Sequence, residues 1–418
     1  MFRFPSRCYN AIMPPPQATS ELLGLIERSK LLTHEKLVEA IERAGCGPDT
    51  PAAELAGALV NERAITKFQA DRLLEGRHRG FFIDHYRCDH ILGTGGMGWL
   101  YLATDVDSGN LVAVKMLPKR LEGDTGMVAR FELEAKAGML LNHPNIVRTF
   151  DHQRTEGVYG DVYYVVMEVV RGISLEELIV RNGPLDWTAA CDVIRQAAAG
   201  LQHAHDNGTI HRDVKPANFL VDTSGHVKIA DFGLSKIESE ADDEFSLQMI
   251  FGHDCLGTAD YIAPEQTLDS NAVDGRADIY SLGCTFYATL TGKLPFPLKS
   301  VKQKLEAQRT RKPKPVTSLV ENLPPEIPAI LEKMISKRPE TRFQKALDVC
   351  RALSPFSTRT PARFSFDKVL VQRAEMARKK IAAKQAHRTG GSSVIAGHSG
   401  TAHSAIETSI RSPVQPDK

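Results

Sequence analysis

"IHRDVKPANFLV", residues 210–221, and "KIADFGLSK", residues 228–236, carry more information than any other part of this chain. A lone aspartate in a loop is usually a cap or a turn residue. Here Asp213, Lys215 and Asn218 stand within six positions, and Asp231 follows 18 residues after Asp213 in an Asp231-Phe232-Gly233 triplet. Turn chemistry alone hardly ever produces that set at that spacing.

Upstream, "ILGTGGMGWLY" (91–101) contains Gly93-x-Gly95-x-x-Gly98. Alone, the pattern fits the dinucleotide-binding turn of a Rossmann fold or the glycine-rich loop of a protein kinase. A dinucleotide turn leads into a helix, with an acidic residue about 20 positions on. These glycines lead into "WLYLATDV", a strand, and Lys115 stands 22 residues after Gly93 inside "VAVK". A hairpin whose tip lacks side chains can lie over phosphates with its amides near their oxygens. The dinucleotide reading fails on both flanks.

With these stretches in order, the sequence resembles the protein kinases over residues 86–353. The resemblance implies an α+β bilobal kinase fold, with a small β-rich N-lobe and a larger helical C-lobe. It implies an ATP site formed by Leu92, Gly93, Thr94, Gly95, Gly96, Met97, Gly98, Leu100, Ala113 and Lys115. Glu134 in "RFELEAKAGMLLNHPNIV" matches the helix glutamate that pairs with the strand lysine, with Glu132 a neighbour on the same helix. "YYVVMEVVRG" looks like the segment joining the lobes, with Met167 as gatekeeper and the Glu168–Val170 backbone facing adenine. Asp213 matches the catalytic aspartate, Lys215 the lysine that approaches the γ-phosphate in serine/threonine kinases, and Asn218 and Asp231 the Mg²⁺ ligands. Charge neutralisation and an in-line hydroxyl are what phosphoryl transfer needs from a protein. Hard oxygen ligands suit Mg²⁺, with Mn²⁺ as a substitute.

"GTADYIAPEQ" (257–266) resembles the end of a kinase activation segment, with Thr258 contacting the catalytic loop. Glu265 would pair with Arg342 in "KRPETRF", and Asp278 in "RADIYSLG" would brace the catalytic loop. The "GGM" in "GTGGMG" is typical of bacterial Hanks-type serine/threonine kinases. The implied activity is transfer of the γ-phosphoryl group of Mg-ATP to serine and threonine hydroxyls of protein substrates, the chain itself included, in signalling. A pseudokinase scaffold has no missing residue to stand on. A small-molecule phosphotransferase of the aminoglycoside-kinase type would lack the Asp-Phe-Gly triplet, the Ala-Pro-Glu triplet and the activation segment.

The chain departs from the family at Leu100, where valine is usual, and in the activation segment. Arg212 precedes Asp213, and such an arginine commonly binds an activating phosphate; yet "LQMIFGHDCLG" offers no hydroxyl before Thr258. Upstream, "IESEADDEFS" (237–246) is acidic. Ser246 is therefore the expected activating site, or a carboxylate of this run replaces the phosphate.

Composition sets the frame. In 418 residues, 42% are hydrophobic and 25% charged, with a formal net charge of +1. That balance gives no reason to expect a nucleic-acid or membrane partner. Seven cysteines are scattered without a C-x-x-C pair, so a reducing cytoplasm is expected. No stretch reaches the roughly 20 apolar residues of a membrane helix. Residues 1–19 are expected to be flexible, with Met13 an alternative start. Residues 20–79 read as a small helical module, with Ser20 and Thr33 as caps, Thr50-Pro51 opening a third helix and Thr66 preceding a fourth. It either packs against its neighbour or binds a regulator, a partner or a second copy. The tail from Ser354 holds one candidate basic helix, 367–388, in otherwise disordered sequence.

Overall fold

The computed structural model describes residues 13–95, 98–118, 121–157, 160–232, 258–268 and 273–390. The chain opens on four short helices, α1 (Thr19–Ser29), α2 (His34–Ala44), α3 (Ala52–Asn61) and α4 (Lys67–Leu74). Thr33 caps as expected, accepting from Lys36 N, and Thr66 caps as well, accepting from Gln69 N. Ser20 does not cap: α1 begins one residue earlier, and the Glu21 carboxylate accepts from Gln17 N at 2.8 Å and Ala18 N at 3.4 Å. This is the return half of a capping box: the third-position carboxylate reaches back to the backbone N–H groups at and before the N-cap, Ala18. Leu22, Ile26, Leu55, Leu59 and Leu73, all fully buried, give these helices a core of their own, shared with Phe81.

A six-stranded antiparallel sheet follows: β1 (Phe82–Ile83), β2 (Tyr86–Gly95), β3 (Gly98–Asp105), β4 (Leu111–Met116), β5 (Thr149–Gly157) and β6 (Gly160–Met167), in the order β1-β2-β3-β4-β6-β5. Helix α5 (Thr125–Met139), capped by the Asp124 side chain, lies between β4 and β5 in the chain. The register sets Lys115 opposite both Leu100 and Val165, and Ala113 opposite Met167. The opening helices dock on this sheet through α4. Thr66 Oγ1 donates to Asp89 O at 2.6 Å, and Gln69 Nε2 donates to Cys88 O at 2.9 Å and Asp89 Oδ1 at 3.1 Å. Phe68 meets Tyr101 beside them.

Below the sheet, a second body forms around α7 (Trp187–Asp206). It is preceded by β7 (Gly172–Ser174) and α6 (Leu175–Asn182), and followed by β8 (Phe219–Asp222) and β9 (Val227–Ile229). Helices α8 (Gly275–Thr291), α9 (Val301–Thr310), α10 (Glu326–Met334) and α11 (Ala346–Leu353) complete it. Its core includes Ile194, Leu201, Phe219, Ile229, Ile279, Leu282, Phe286 and Val349. The segment after α5 is tied down to this body: Val147 N donates to Ile229 O, and Asn145 Nδ2 donates to Val227 O and Gln196 Oε1. These buried polar groups find their partners across the two bodies, which fixes the base of α5. The chain is one compact unit as far as Glu375, and residues from Met376 form a second. Helix α12 (Phe366–Gly390) closes the described chain. Among the described residues, no helix is long and apolar enough to cross a membrane.

Candidate active site

Three elements meet at one ammonium group. Lys115 Nζ, at the end of β4, lies 2.8 Å from Glu134 Oε1 on α5 and 2.8 Å from Asp231 Oδ1 after β9. Helical spacing turns Phe131, Glu134, Ala135 and Gly138 towards the sheet, so Glu134 rather than Glu132 reaches the lysine. At Gly138 the helix packs closely on β5: a Cβ there would stand 2.5 Å from Thr149 Oγ1, so a larger residue would force that side chain to shift. Burial alone would favour a neutral Lys115 amine, but Asp231 and Glu134 outweigh it and hold the group well above the usual lysine value. Lys115 in turn holds the Asp231 carboxyl below the carboxylate range, while burial pushes Glu134 up.

The loop before β8 gathers the polar residues of "IHRDVKPANFLV". Asp213 is buried; Lys215 Nζ lies 2.8 Å from its Oδ2. Asn218 Nδ2 donates to Asp213 O at 2.8 Å and to Oδ2 at 3.1 Å. With its amide nitrogen so engaged, Asn218 presents its carbonyl oxygen as a hard donor, as ionised Asp231 presents a carboxylate. That pair of oxygen ligands fits a small divalent cation. Arg212 and Asp231 both hold left-handed backbone, with φ of 62° and 59°. Such strain in non-glycine residues persists only where the surroundings enforce it. For Arg212 the enforcing group is Asp278, fully buried on α8. Its Oδ1 accepts from Arg212 N at 2.7 Å, and its Oδ2 accepts from His211 N at 2.9 Å and faces His205 Nε2 at 2.8 Å. Burial opposes ionisation of Asp278, yet the hydrogen bond and charge of His205, with those from His211, keep its carboxyl below the usual range. Phe232 is buried against the His211 ring, with 4.7 Å between centroids.

In the β2–β3 hairpin, Gly93, Thr94 and Gly95 pair with Leu100, Trp99 and Gly98. Gly98 has φ 122°, and a Cβ there would lie 1.9 Å from Met116 O, so no other residue fits. Leu92, Leu102 and Ala113 form an apolar cluster beneath the sheet, with Leu100, Met167 and Val169 packed against it. The same cluster includes Leu370 from α12, with Phe366 packed against it. At the end of β6, Glu168 N donates to Arg148 O at 2.9 Å, and the Glu168 carboxylate accepts from Arg148 N and Lys228 Nζ. Gly172 N donates to Val170 O.

Past the loop, Glu265 and Arg342 meet as expected, with the guanidinium fully buried. Thr258 begins a short turn, Thr258–Asp260. Gly96, Met97, Gly233 and Ser246 lie outside the described residues. Two residues of α9 that no sequence motif marks hold that turn. Buried Lys304 on α9 lies 2.7 Å from Asp260 Oδ2, and Gln308 Nε2 donates to Asp260 O at 2.6 Å. Their spacing of four puts both on one face of α9.

Residues 86–352 match the protein kinase domain family. Serine/threonine-protein kinase PknB of Mycobacterium tuberculosis is 36% identical over 266 residues, covering 64% of this chain and 42% of that protein. The probable serine/threonine-protein kinase PknB of Corynebacterium glutamicum is 34% identical over 278 residues, covering 66% and 42%. The chain thus spans about two fifths of the length of these relatives. The fold is shared with the PknI kinase domain of Mycobacterium tuberculosis, with a TM-score of 0.50 and 24% identity over 66% of this chain and 98% of that one.

Proposed function

The chain belongs to the protein kinase domain family, on its bacterial Hanks-type serine/threonine side, and from that premise we propose that it transfers the γ-phosphoryl group of ATP to serine and threonine hydroxyls of proteins, its own included. The observation that carries the reading is the single ammonium of Lys115 bridging Glu134 and Asp231. Three chain segments far apart in sequence are brought to one charge, and a lysine so held is pre-organised for phosphate.

Lys115 binds the α- and β-phosphates, and Glu134 fixes the ammonium against its flexible stem. Asp213 orients the attacking hydroxyl and accepts its proton, while Lys215 balances charge at the γ-phosphate. Asn218 and Asp231 hold Mg²⁺, with Mn²⁺ as a substitute; when bound, the cation neutralises phosphate charge. The adenine lies under Leu92, Leu100 and Ala113, beside Met167. Since Glu168 N and Val170 O are already engaged, the adenine takes Glu168 C=O and Val170 N-H. The scattered cysteines support a reducing, cytoplasmic setting, and residues 20–79 are a candidate surface for a partner or a second copy.

The test is phosphotransfer from labelled ATP, with Mg²⁺, to the chain itself and to a basic test protein. Wild type labels serine and threonine, and Asp213→Asn does not. Equal labelling by both, or none by wild type in Mg²⁺ or Mn²⁺, refutes the assignment.

A further inference from the structure

We propose that the first turns of α12 occupy the adenine site, so that this helix and the nucleotide exclude one another. The proposal rests on the ATP-site reading above. Leu370 is 7% exposed and shares its cluster with Leu92 (8%) and Ala113 (5%), while Leu100, Met167 and Val169 pack against the same cluster, as does Phe366. Those are the residues assigned to the roof, gatekeeper and hinge around adenine. Interiors are packed as densely as organic crystals, so a leucine and a purine cannot share that space.

The helix is delivered there along a held path. Thr358 N donates to Thr188 O at 3.2 Å, and Arg359 Nε lies 3.6 Å from Asp192 Oδ2. The chain then presses on the β8–β9 turn, where a Cβ on Gly225 would stand 2.3 Å from Thr360 O. Phe356, Ala362 and Phe364 pack on the core of the helical body. Ser365 O accepts from Val369 N as α12 begins. Val369 enters that lower core, at 1% exposed, while Leu370 turns to the cluster beneath the sheet. Two contacts to α6 complete the seat: Arg373 Nη2 lies 3.1 Å from Glu177 Oε2, and Arg181 Nη2 donates to Gln372 Oε1 at 2.6 Å.

A site filled by its own chain lowers the apparent affinity for a ligand by the fraction of time that it stands open. Releasing the helix therefore tightens nucleotide binding without altering any group that touches phosphate. Full burial of one leucine corresponds to roughly ten- to hundredfold in such an equilibrium.

The experiment uses the full chain and Mg-ATP. Calorimetry gives Kd for wild type, Leu370→Asp and Arg373→Glu, and hydrogen exchange follows amides 366–375 with and without nucleotide. We expect Kd to fall about ten- to hundredfold in Leu370→Asp and less in Arg373→Glu, with Glu177→Arg added to Arg373→Glu moving Kd back towards the wild-type value, short of it because Glu177 also pairs with Arg181. ATP is expected to strip protection from 366–375 in wild type. Equal Kd in wild type and both single variants overturns the proposal, as does ATP binding that leaves 366–375 protected. Phosphotransfer is read in the same samples. Tightened ATP binding without phosphotransfer refutes the kinase reading and supports the plug, whereas phosphotransfer with unshifted Kd does the reverse.

Discussion

Arg342 grips Glu265 through two parallel hydrogen bonds, Nη1 to Oε1 at 2.6 Å and Nη2 to Oε2 at 2.8 Å, with its guanidinium wholly out of water. The same side chain donates to Ser336 O, Lys337 O and Arg276 O and lies over the Tyr280 ring. Removing one partner of a buried, hydrogen-bonded charge pair leaves the other uncompensated, at a cost of about 3–5 kcal/mol. Urea unfolding of Arg342→Ala is expected to show a loss of that size; a change under ~1 kcal/mol would contradict it.

Lys115 makes the sharper functional prediction. Lys115→Met removes one preorganised cation and leaves Glu134 and Asp231 facing each other without it. Phosphotransfer is expected to fall about 10²–10³-fold, the usual cost of one preorganised charge-stabilising group. Steady-state kinetics at saturating ATP read it, and an unchanged kcat rules it out.

The docking of the opening helices depends on Gln69, which is 2% exposed and donates to Cys88 O and Asp89 Oδ1. Gln69→Leu leaves both acceptors buried without that donor, at about 1–3 kcal/mol. Thermal unfolding should shift down, and amide exchange in β2 should speed up. Exchange confined to α4, with β2 unaltered, would show that the strand does not rely on this contact.

Alkaline pH should weaken the fold through buried thiols. Burial pushes Cys88, Cys191 and Cys284 up to about 12, against an ordinary value of 9.0. Between those values the unfolded chain has lost these protons and the folded chain keeps them. Raised groups contribute stability below the unfolded pKa and lose it as pH climbs through the folded one. Stability should therefore decline from about pH 9 towards pH 12, and replacing the three by alanine should flatten the slope in denaturant titrations at several pH values. An identical slope in the triple variant counts against this origin.

The clustering of the candidate site was readable in the sequence because it depends on residue identity at fixed spacing. Lys115, Glu134, Asp213, Asn218 and Asp231 each had to be that residue, and the structure brings Lys115, Glu134 and Asp231 to one point, and Asp213 and Asn218 to another. The Glu265–Arg342 pair and the Asp278 brace were legible for the same reason. The seat of α12 was not. Val369 and Leu370 are neighbours, about 100° apart round a helix, and they enter two different cores. A helix held between two bodies buries two narrow stripes, not one broad face, so its apolar periodicity reads as weak. Gln69 was equally silent, since a buried amide that binds backbone carbonyls leaves no pattern in composition. Lys304 and Gln308 share a face of α9, but nothing local marks Asp260 as their target.

Asp278 accepts the His211 and Arg212 amides from 67 and 66 residues away, and this has a consequence for timing during synthesis. A nascent chain that has delivered Asp213, Asn218 and Asp231 still lacks the acceptor that bends Arg212 into its left-handed turn. Large chains fold as units when their long-range partners arrive. The hydrogen bonds that shape the loop need α8, and the segment around Glu265 needs Arg342, 64 residues further on. The shape of this loop is therefore set by residues that follow it in the chain, not by its own sequence alone.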